Sequence, residues 1–308
     1  MLAQILIKIF INLFIRTSRI LMIKFKSLES LGMLFAVLAY FSFSLLDAVQ
    51  KTAVIYHSVF QLLFIKYCFV LILSFIESRR KKNYLFYKSG NIKIQLIRSI
   101  LSIIESGCFI LSFRYLSLAD AHSIASLTPV LVVALSAIIL REHVSLKTWI
   151  AIFVGFVGVL IIMRPGLSIF DPKSLIPLAG AFFLSIYQIV TRKASEKDST
   201  ETSLFYTSVV GIILMGIIGY SFWQPLMEYS IFFFIAIGIF FSLGLYFQII
   251  ALSMTKAGII QPFHYTLIFW AIILGYIFYN DFPDTPTLIG ALVITISGIY
   301  TFCIKEKD

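Results

Sequence analysis

Apolar residues in this chain run in blocks too long and too uniform for an amphipathic helix or a half-buried strand. Ten such blocks lie between Leu31 and Ile304, most of them divided by only a few polar residues. An α-helix rising roughly 1.5 Å per residue needs about 20 apolar residues to cross a hydrocarbon core of about 30 Å, where a backbone without water must satisfy its own hydrogen bonds. The pattern therefore predicts spans at 31–50, 55–76, 95–114, 120–140, 146–163, 174–192, 203–222, 230–251, 257–279 and 286–304. This is an all-α membrane protein with ten transmembrane helices.

Composition removes the soluble alternative: 60% of the residues are hydrophobic, 13% are charged, and phenylalanine alone contributes 31. The cations are sorted by loop. One side collects Lys8, Arg16, Arg19, Lys24 and Lys26, the run Arg79 to Lys82 with Lys88 and Lys93, and smaller groups at Arg141/Lys147, Arg192/Lys193/Lys197, Lys256 and Lys305/Lys307. The other side carries only Lys51, Arg114, Arg164 and Lys173. By the positive-inside bias both termini are cytoplasmic. The net charge of +10 is then a topology signal with some attraction for anionic headgroups, not a nucleic-acid surface.

Residues 1–29 form a basic amino-terminal segment, and its first 28 residues are apolar with no acid. Lys8 interrupts the apolar run and no small-residue cleavage pattern follows, against a signal peptide. An interfacial basic helix and a true start at Met22 both remain open.

The spans repeat. Leu116-Ser-Leu-Ala-Asp-Ala121 echoes Leu252-Ser-Met-Thr-Lys-Ala257, Asp47-Ala-Val-Gln-Lys51 echoes Gln188-Ile-Val-Thr-Arg192, and Arg141-Glu142 echoes Asn280-Asp281. The unit is five helices, with a first repeat at 30–166, a second at 167–304 and a short tail at 305–308. Five crossings are odd in number, so the second copy is inverted, the architecture of alternating-access carriers.

Within that frame, ionisable groups inside spans mark function first. Lys66 in span two and Glu105 in span three both fall near the midplane, placed to pair with each other or to meet a cargo. Asp47 and Lys51, one turn apart at the outer end of span one, form either a headgroup ion pair or part of an outer gate. Arg98 near the inner end of span three is expected to snorkel to the interface. His264 adjoins Gln261, Pro262 and Tyr265 in span nine. Pro129 and Pro262 fall in matching spans and predict helix breaks around a central cavity, lined by Lys66, Glu105, His264, Tyr265 and Gln261. Tyr187, Tyr206, Tyr246 and Trp270 are aromatic candidates for its wall. Small residues at Gly155, Gly158, Gly211, Gly216 and Gly219 serve close helix packing.

The remaining chemistry is mostly negative. Cys68, Cys108 and Cys303 are odd in number and lie in spans, so neither a disulfide framework nor a metal site is expected. The histidines His57, His122, His143 and His264 are scattered and form no enzymatic constellation. No P-loop is present and no cofactor is expected, so transport must draw on a gradient or on exchange, with protons or a counter-substrate as partner.

Arg141-Glu142-His143 leading to Trp149 and Gly155-Phe-Val-Gly158, with Asn280-Asp-Phe-Pro-Asp284 in the second copy, resemble the EamA-type carriers of the drug/metabolite transporter superfamily from Leu31 to Ile304. Leu46-Asp-Ala-Val-Gln-Lys51, Gln261-Pro-Phe-His-Tyr265 and Asn280–Asp284 look like the S-adenosylmethionine uptake transporters of intracellular bacteria. Lys66 and His264 stand where that family usually has arginine, and Glu105 where it has a small residue. The resemblance implies a secondary carrier of a small polar or zwitterionic metabolite, as a monomer or homodimer, with S-adenosylmethionine uptake as its sharpest form. An exporter of amino acids or drug-like cations is the alternative within the family, and a channel or non-transporting subunit the alternative outside it.

Overall fold

The computed structural model describes residues 28–139, 146–163, 171–226, 229–255 and 257–305. The basic segment with Met22, the Arg141-Glu142-His143 turn, Arg164 and Lys256 lie outside the described residues. Within them the chain forms α1 (Leu28–Tyr56), α2 (Val59–Lys81), α3 (Ile92–Tyr115), α4 (Leu118–Ala125), α5 (Thr128–Ile139) and α6 (Leu146–Met163). The second half follows as α7 (Leu175–Ala194), α8 (Thr200–Gly219), α9 (Ser230–Met254), α10 (Ala257–His264), α11 (Thr266–Tyr279) and α12 (Thr285–Lys305). Among the described residues, eight helical stretches are long and apolar enough to cross a membrane, with shorter apolar helices at Trp149–Met163 and Thr285–Tyr300.

Local chemistry sets the ends. Ser58, Asn91, Ser117 and Ser199 each accept a backbone N–H from the first turn of α2, α3, α4 and α8, satisfying donors that a helix start leaves open. Lys82 and Asn280 close α2 and α11 in the left-handed conformation, both at φ 54°, with the next residue's N–H reaching back to the last turn. The largest boundary difference from the hydropathy pattern is at the end of span one. There α1 runs on to Tyr56 because Asp47, Gln50 and Lys51 all find partners inside the protein and so do not end the helix.

Spans four and nine are the two interrupted ones, as α4/α5 and α10/α11. Both first halves are eight residues long, closing at Ala125 and His264. This register sits about one turn away from the Leu116/Leu252 echo, and it changes the reading of the prolines. Pro129 opens α5, where a missing N–H is harmless, whereas Pro262 lies inside α10 and removes a bond from the turn before the break. The two breaks match in position although the two prolines do not.

The main packing partners are α1 with α9, α3 with α7, α2 with α8 and α6 with α12, while α4 packs on α11 and α10 on α5. Exchanging the two repeats turns this set of pairs into itself, as an inverted repeat requires. Where α6 crosses α12, a Cβ on Gly158 would stand 3.0 Å from the Gly290 carbonyl oxygen and one on Gly290 would stand 2.7 Å from that of Gly158. Only glycine permits that approach. The polarity is that of a protein in lipid: Gln61, Lys66, Gln95, Arg98 and Gln188 are buried, whereas Phe153, Ile217, Phe232 and Phe278 face outward.

Candidate functional site

A cavity opens between the repeats, with an empty volume, including its mouth, of about 580 Å³. Helix α1 contributes Tyr40, Phe43, Asp47 and Gln50, α2 Lys66, α3 Glu105, Ser106 and Phe109, and α4 His122 and Ala125. The second repeat adds Leu184, Phe241, Gln248, His264 and Leu267. Aliphatic and aromatic walls with a few convergent polar groups are the usual character of a small-molecule site.

Lys66 is 2% exposed, and its ammonium lies 4.0 Å from the centre of the Phe241 ring rather than in a direct ion pair with Glu105. The Glu105 carboxylate accepts from the Ser106 hydroxyl at 2.9 Å. The two groups thus share the cavity without a direct ion pair between them. A buried cation over an aromatic face is held by the ring quadrupole, but that contact is weaker than a carboxylate partner in the same place.

Asp47 and Lys51 do not pair as neighbours on α1. Asp47 turns inward, where one carboxylate oxygen accepts the Gln50 amide at 3.0 Å and the other stands 3.1 Å from His122 Nε2. Lys51 closes the end of the bundle, donating to the Leu116 carbonyl at 3.0 Å and pairing with Asp281 at 3.1 Å above the Tyr279 ring. His264, the last residue of α10, lies edge-on to Tyr40 with ring centres 5.1 Å apart, and neither of its ring nitrogens has a hydrogen-bond partner.

Gln261 and Tyr265 stay behind the wall. The Gln261 amide nitrogen donates to Gln188 Oε1 and to the Ala257 carbonyl, both at 2.7 Å. Tyr265 packs into a second apolar cluster with Ile268 and Ile294, its ring against Gly298. Tyr187, Tyr206, Tyr246 and Trp270 also lie outside the cavity lining. His122 is the functional candidate that the sequence leaves unmarked, because a lone histidine in an apolar span carries no period or spacing of its own.

Polar contacts also close the opposite end of the bundle. Arg98 does not snorkel: it is fully buried, bonding Gln95 Oε1 at 3.1 Å, the Tyr187 hydroxyl at 3.4 Å, the Ser203 carbonyl and Thr207. Three carbonyl and hydroxyl acceptors from α7 and α8 make burial cheaper than a reach to the interface. Two cations of the basic run are likewise engaged, Arg80 with Glu77 at 2.8 Å and Lys81 with Glu201 at 3.0 Å.

Comparison with known proteins agrees with this architecture. A model of the EamA-like transporter family matches residues 30–164 and again 174–303. The chain is 23% identical over 250 residues to an S-adenosylmethionine uptake transporter of Rickettsia conorii, covering 80% of this chain and 84% of the relative. It is 23% identical over 280 residues to that of Rickettsia bellii, covering 90% and 95%. A pseudopaline exporter of Pseudomonas aeruginosa is 25% identical over 272 residues, covering 87% and 94%. A solved crystal structure of another protein shares the fold with a TM-score of 0.68 at 16% identity, over 90% of this chain and 98% of that one.

Proposed function

Because the chain belongs to the EamA-like transporter family, we propose that it is a secondary carrier moving a small zwitterionic metabolite across a bacterial inner membrane, both termini in the cytoplasm. The halves 30–166 and 167–304 rock against each other to expose the cavity to each side in turn. S-Adenosylmethionine uptake is the specific form we favour.

The observation that carries this reading is that Lys66 and Glu105 line one aromatic-walled cavity without touching each other. Each buried charge lacks an opposite charge in direct contact, so a ligand with a carboxylate and a cationic group completes both. In this reading Lys66 takes the carboxylate of the cargo, Glu105 its cation, His264 supplies a polar contact from the break in span nine, and Lys51 with Asp281 belongs to the outer gate. An amino-acid end beside a sulfonium, as in S-adenosylmethionine, suits such a wall. The names of the Rickettsia relatives support that choice.

A thermal-shift screen of the purified protein against S-adenosylmethionine, amino acids, polyamines and nucleosides tests it. A ligand that binds the folded state at a hundredfold excess over Kd adds about 2.7 kcal/mol. Stabilisation by S-adenosylmethionine, followed by uptake of the radiolabelled compound into vesicles, is the expected result. Stabilisation by amino acids alone overturns the cargo. Export is the second reading, favoured by the pseudopaline exporter relative, and accumulation in everted rather than right-side-out vesicles identifies it.

A further inference from the structure

The first span of each repeat touches the first half of that repeat's broken span, α1 on α4 and α7 on α10, and the two contacts are equivalent. Asp47 and Gln188 occupy matched positions in the Asp47–Lys51 and Gln188–Arg192 echo, and His122 and Gln261 are each the fifth residue of their eight-residue half-helices. In the first repeat the contact is a carboxylate on an imidazole at 3.1 Å, and in the second it is amide on amide at 2.7 Å. A neutral amide pair holds two helices together without burying charge. Burying a histidine and an aspartate for the same mechanical purpose is the costlier solution inside a membrane protein.

Resting on the carrier reading above, we propose that the Asp47–His122 pair is the coupling site for protons, loading one proton on one side of the membrane and releasing it on the other as cargo moves. With Nε2–H of His122 donating to Asp47, the second ring nitrogen carries the free lone pair, and Nδ1 is buried without a hydrogen-bond partner. A proton taken from water at Nδ1 makes an imidazolium whose charge the Asp47 carboxylate neutralises. When rocking parts α1 from α4, the imidazolium loses that counter-ion and returns its proton to the water on the other side. No other reactant is needed.

Other ionisable groups, Tyr40 of α1 among them, share the cavity, but the direct contact between α1 and α4 is made by Asp47 and His122. Lys66 of α2, Glu105 of α3 and His264 of α10 face the same cavity, while α7 and α11 bring only Leu184 and Leu267 to it. Asp120 on α4 itself is engaged with Ser117 and Thr287, and Lys51 with Asp281. Phe109 and Phe113 flank the His122 ring at 6.5 and 5.8 Å and seal it from lipid.

The test uses the full chain in proteoliposomes with radiolabelled S-adenosylmethionine, valinomycin and equal potassium holding the potential at zero. Two assays are run: counterflow at equal pH, and accumulation under imposed pH gradients of both signs. Wild type is expected to show counterflow, and to accumulate cargo in one gradient polarity by up to about tenfold per pH unit for one proton per cargo. His122→Gln writes the second repeat's chemistry into the first. It should keep measurable counterflow while the accumulation ratio under the gradient falls to unity, and Asp47→Asn should lose the gradient response in the same way. Gradient-driven accumulation by His122→Gln, or wild-type counterflow indifferent to the gradient, overturns the coupling site. Wild type without counterflow overturns the S-adenosylmethionine carrier itself, and the coupling site with it.

Discussion

The two five-helix repeats build the same joints from different chemistry. At the end of span one Lys51 donates to the Leu116 carbonyl, and at the end of span six Arg192 donates to the carbonyls of Leu252 and Ser253, so each cation satisfies the open end of α3 or α9. Before the capping serine of α2 stands His57, bonded to Ser230 at the start of α9 at 3.0 Å. Before the capping serine of α8 stands Asp198, accepting from Ser89 and the Gly90 N–H at 2.6 Å and from Gln95 at 2.8 Å. Toward the cavity the polarity reverses: the first repeat supplies Asp47, Lys66, Glu105 and His122, and the second a single histidine among neutral residues. On the proposed reading, equivalent mechanics with unequal charge separates what holds the carrier together from what recognises and drives its cargo.

The strongest way to break that comparison is Lys66→Met. Lys66 is the eighth residue of α2, and its counterpart, the eighth of α8, is Thr207, which serves Arg98 rather than the cavity. Removing the ammonium leaves the carboxylate of a cargo unpaired in a dry site, which costs about 2–5 kcal/mol. Uptake should fall by at least about 100-fold while the melting temperature holds, since Lys66 makes no ion pair in the empty protein. Normal uptake of labelled S-adenosylmethionine by this variant ends the assignment of recognition to the first repeat.

Asp198→Ala should do the reverse, harming stability more than recognition. Losing a carboxylate that accepts three hydrogen bonds from the segment leading into α3 is expected to cost about 2–3 kcal/mol, read as a lower midpoint in thermal melts. Cargo-induced stabilisation should survive in the fraction that stays folded. A melt like that of wild type would mean that the joint between spans six and seven carries no weight.

Much of this was legible in the chain, for reasons that also mark the limit. Among the described residues the ten apolar blocks become eight helical stretches of spanning length and two shorter apolar helices, because the lipid sets their length. The Asp47/Gln188 echo predicts equivalent places, and the structure fills them with equivalent contacts. Hydropathy ends span one too early because it counts Asp47 and Lys51 as solvent-seeking when both have partners indoors. It sends Arg98 to the interface for the same reason, blind to the acceptors on Tyr187, Ser203 and Thr207. Lys66 and Glu105 stand out as charges in a span, whereas His122 matters only through Asp47, 75 positions away by number (47 to 122), and no spacing rule reaches that far. The prolines mark the right spans, but the break position follows the length of each half-helix.

A milder probe of the neutral joint is Gln261→Leu. The amide bond to Gln188 disappears, but the substituted side chain points away from the cavity lining. Losing one neutral hydrogen bond while leaving Gln188 buried costs about 1–2 kcal/mol. Uptake should drop by less than about tenfold, with its pH-gradient dependence intact. Loss of the gradient response here would place coupling in both joints and remove the asymmetry.

The smallest expected effect concerns His57, the first repeat's counterpart of Asp198, in the connection between α1 and α2. Burial against Phe234 holds its imidazole below the ordinary histidine value, in spite of the nearby Gln61 side chain, which favours the protonated form. A histidine whose folded pKa is depressed takes up protons more readily when unfolded, so its contribution to stability is whole above about pH 6.5 and is lost as pH falls from there toward the folded value. His57→Gln keeps a polar partner for Ser230 but cannot titrate, and at pH 8 it should lie within about 1 kcal/mol of wild type. Thermal melts of both proteins at pH 8 and pH 5.5 cancel the other titrating groups. The wild-type midpoint should fall relative to the variant on acidification. A gap that is constant or widens in favour of wild type would mean that His57 is charged in the folded protein, and that this outer joint, like that of Asp198, is held by charge in both repeats.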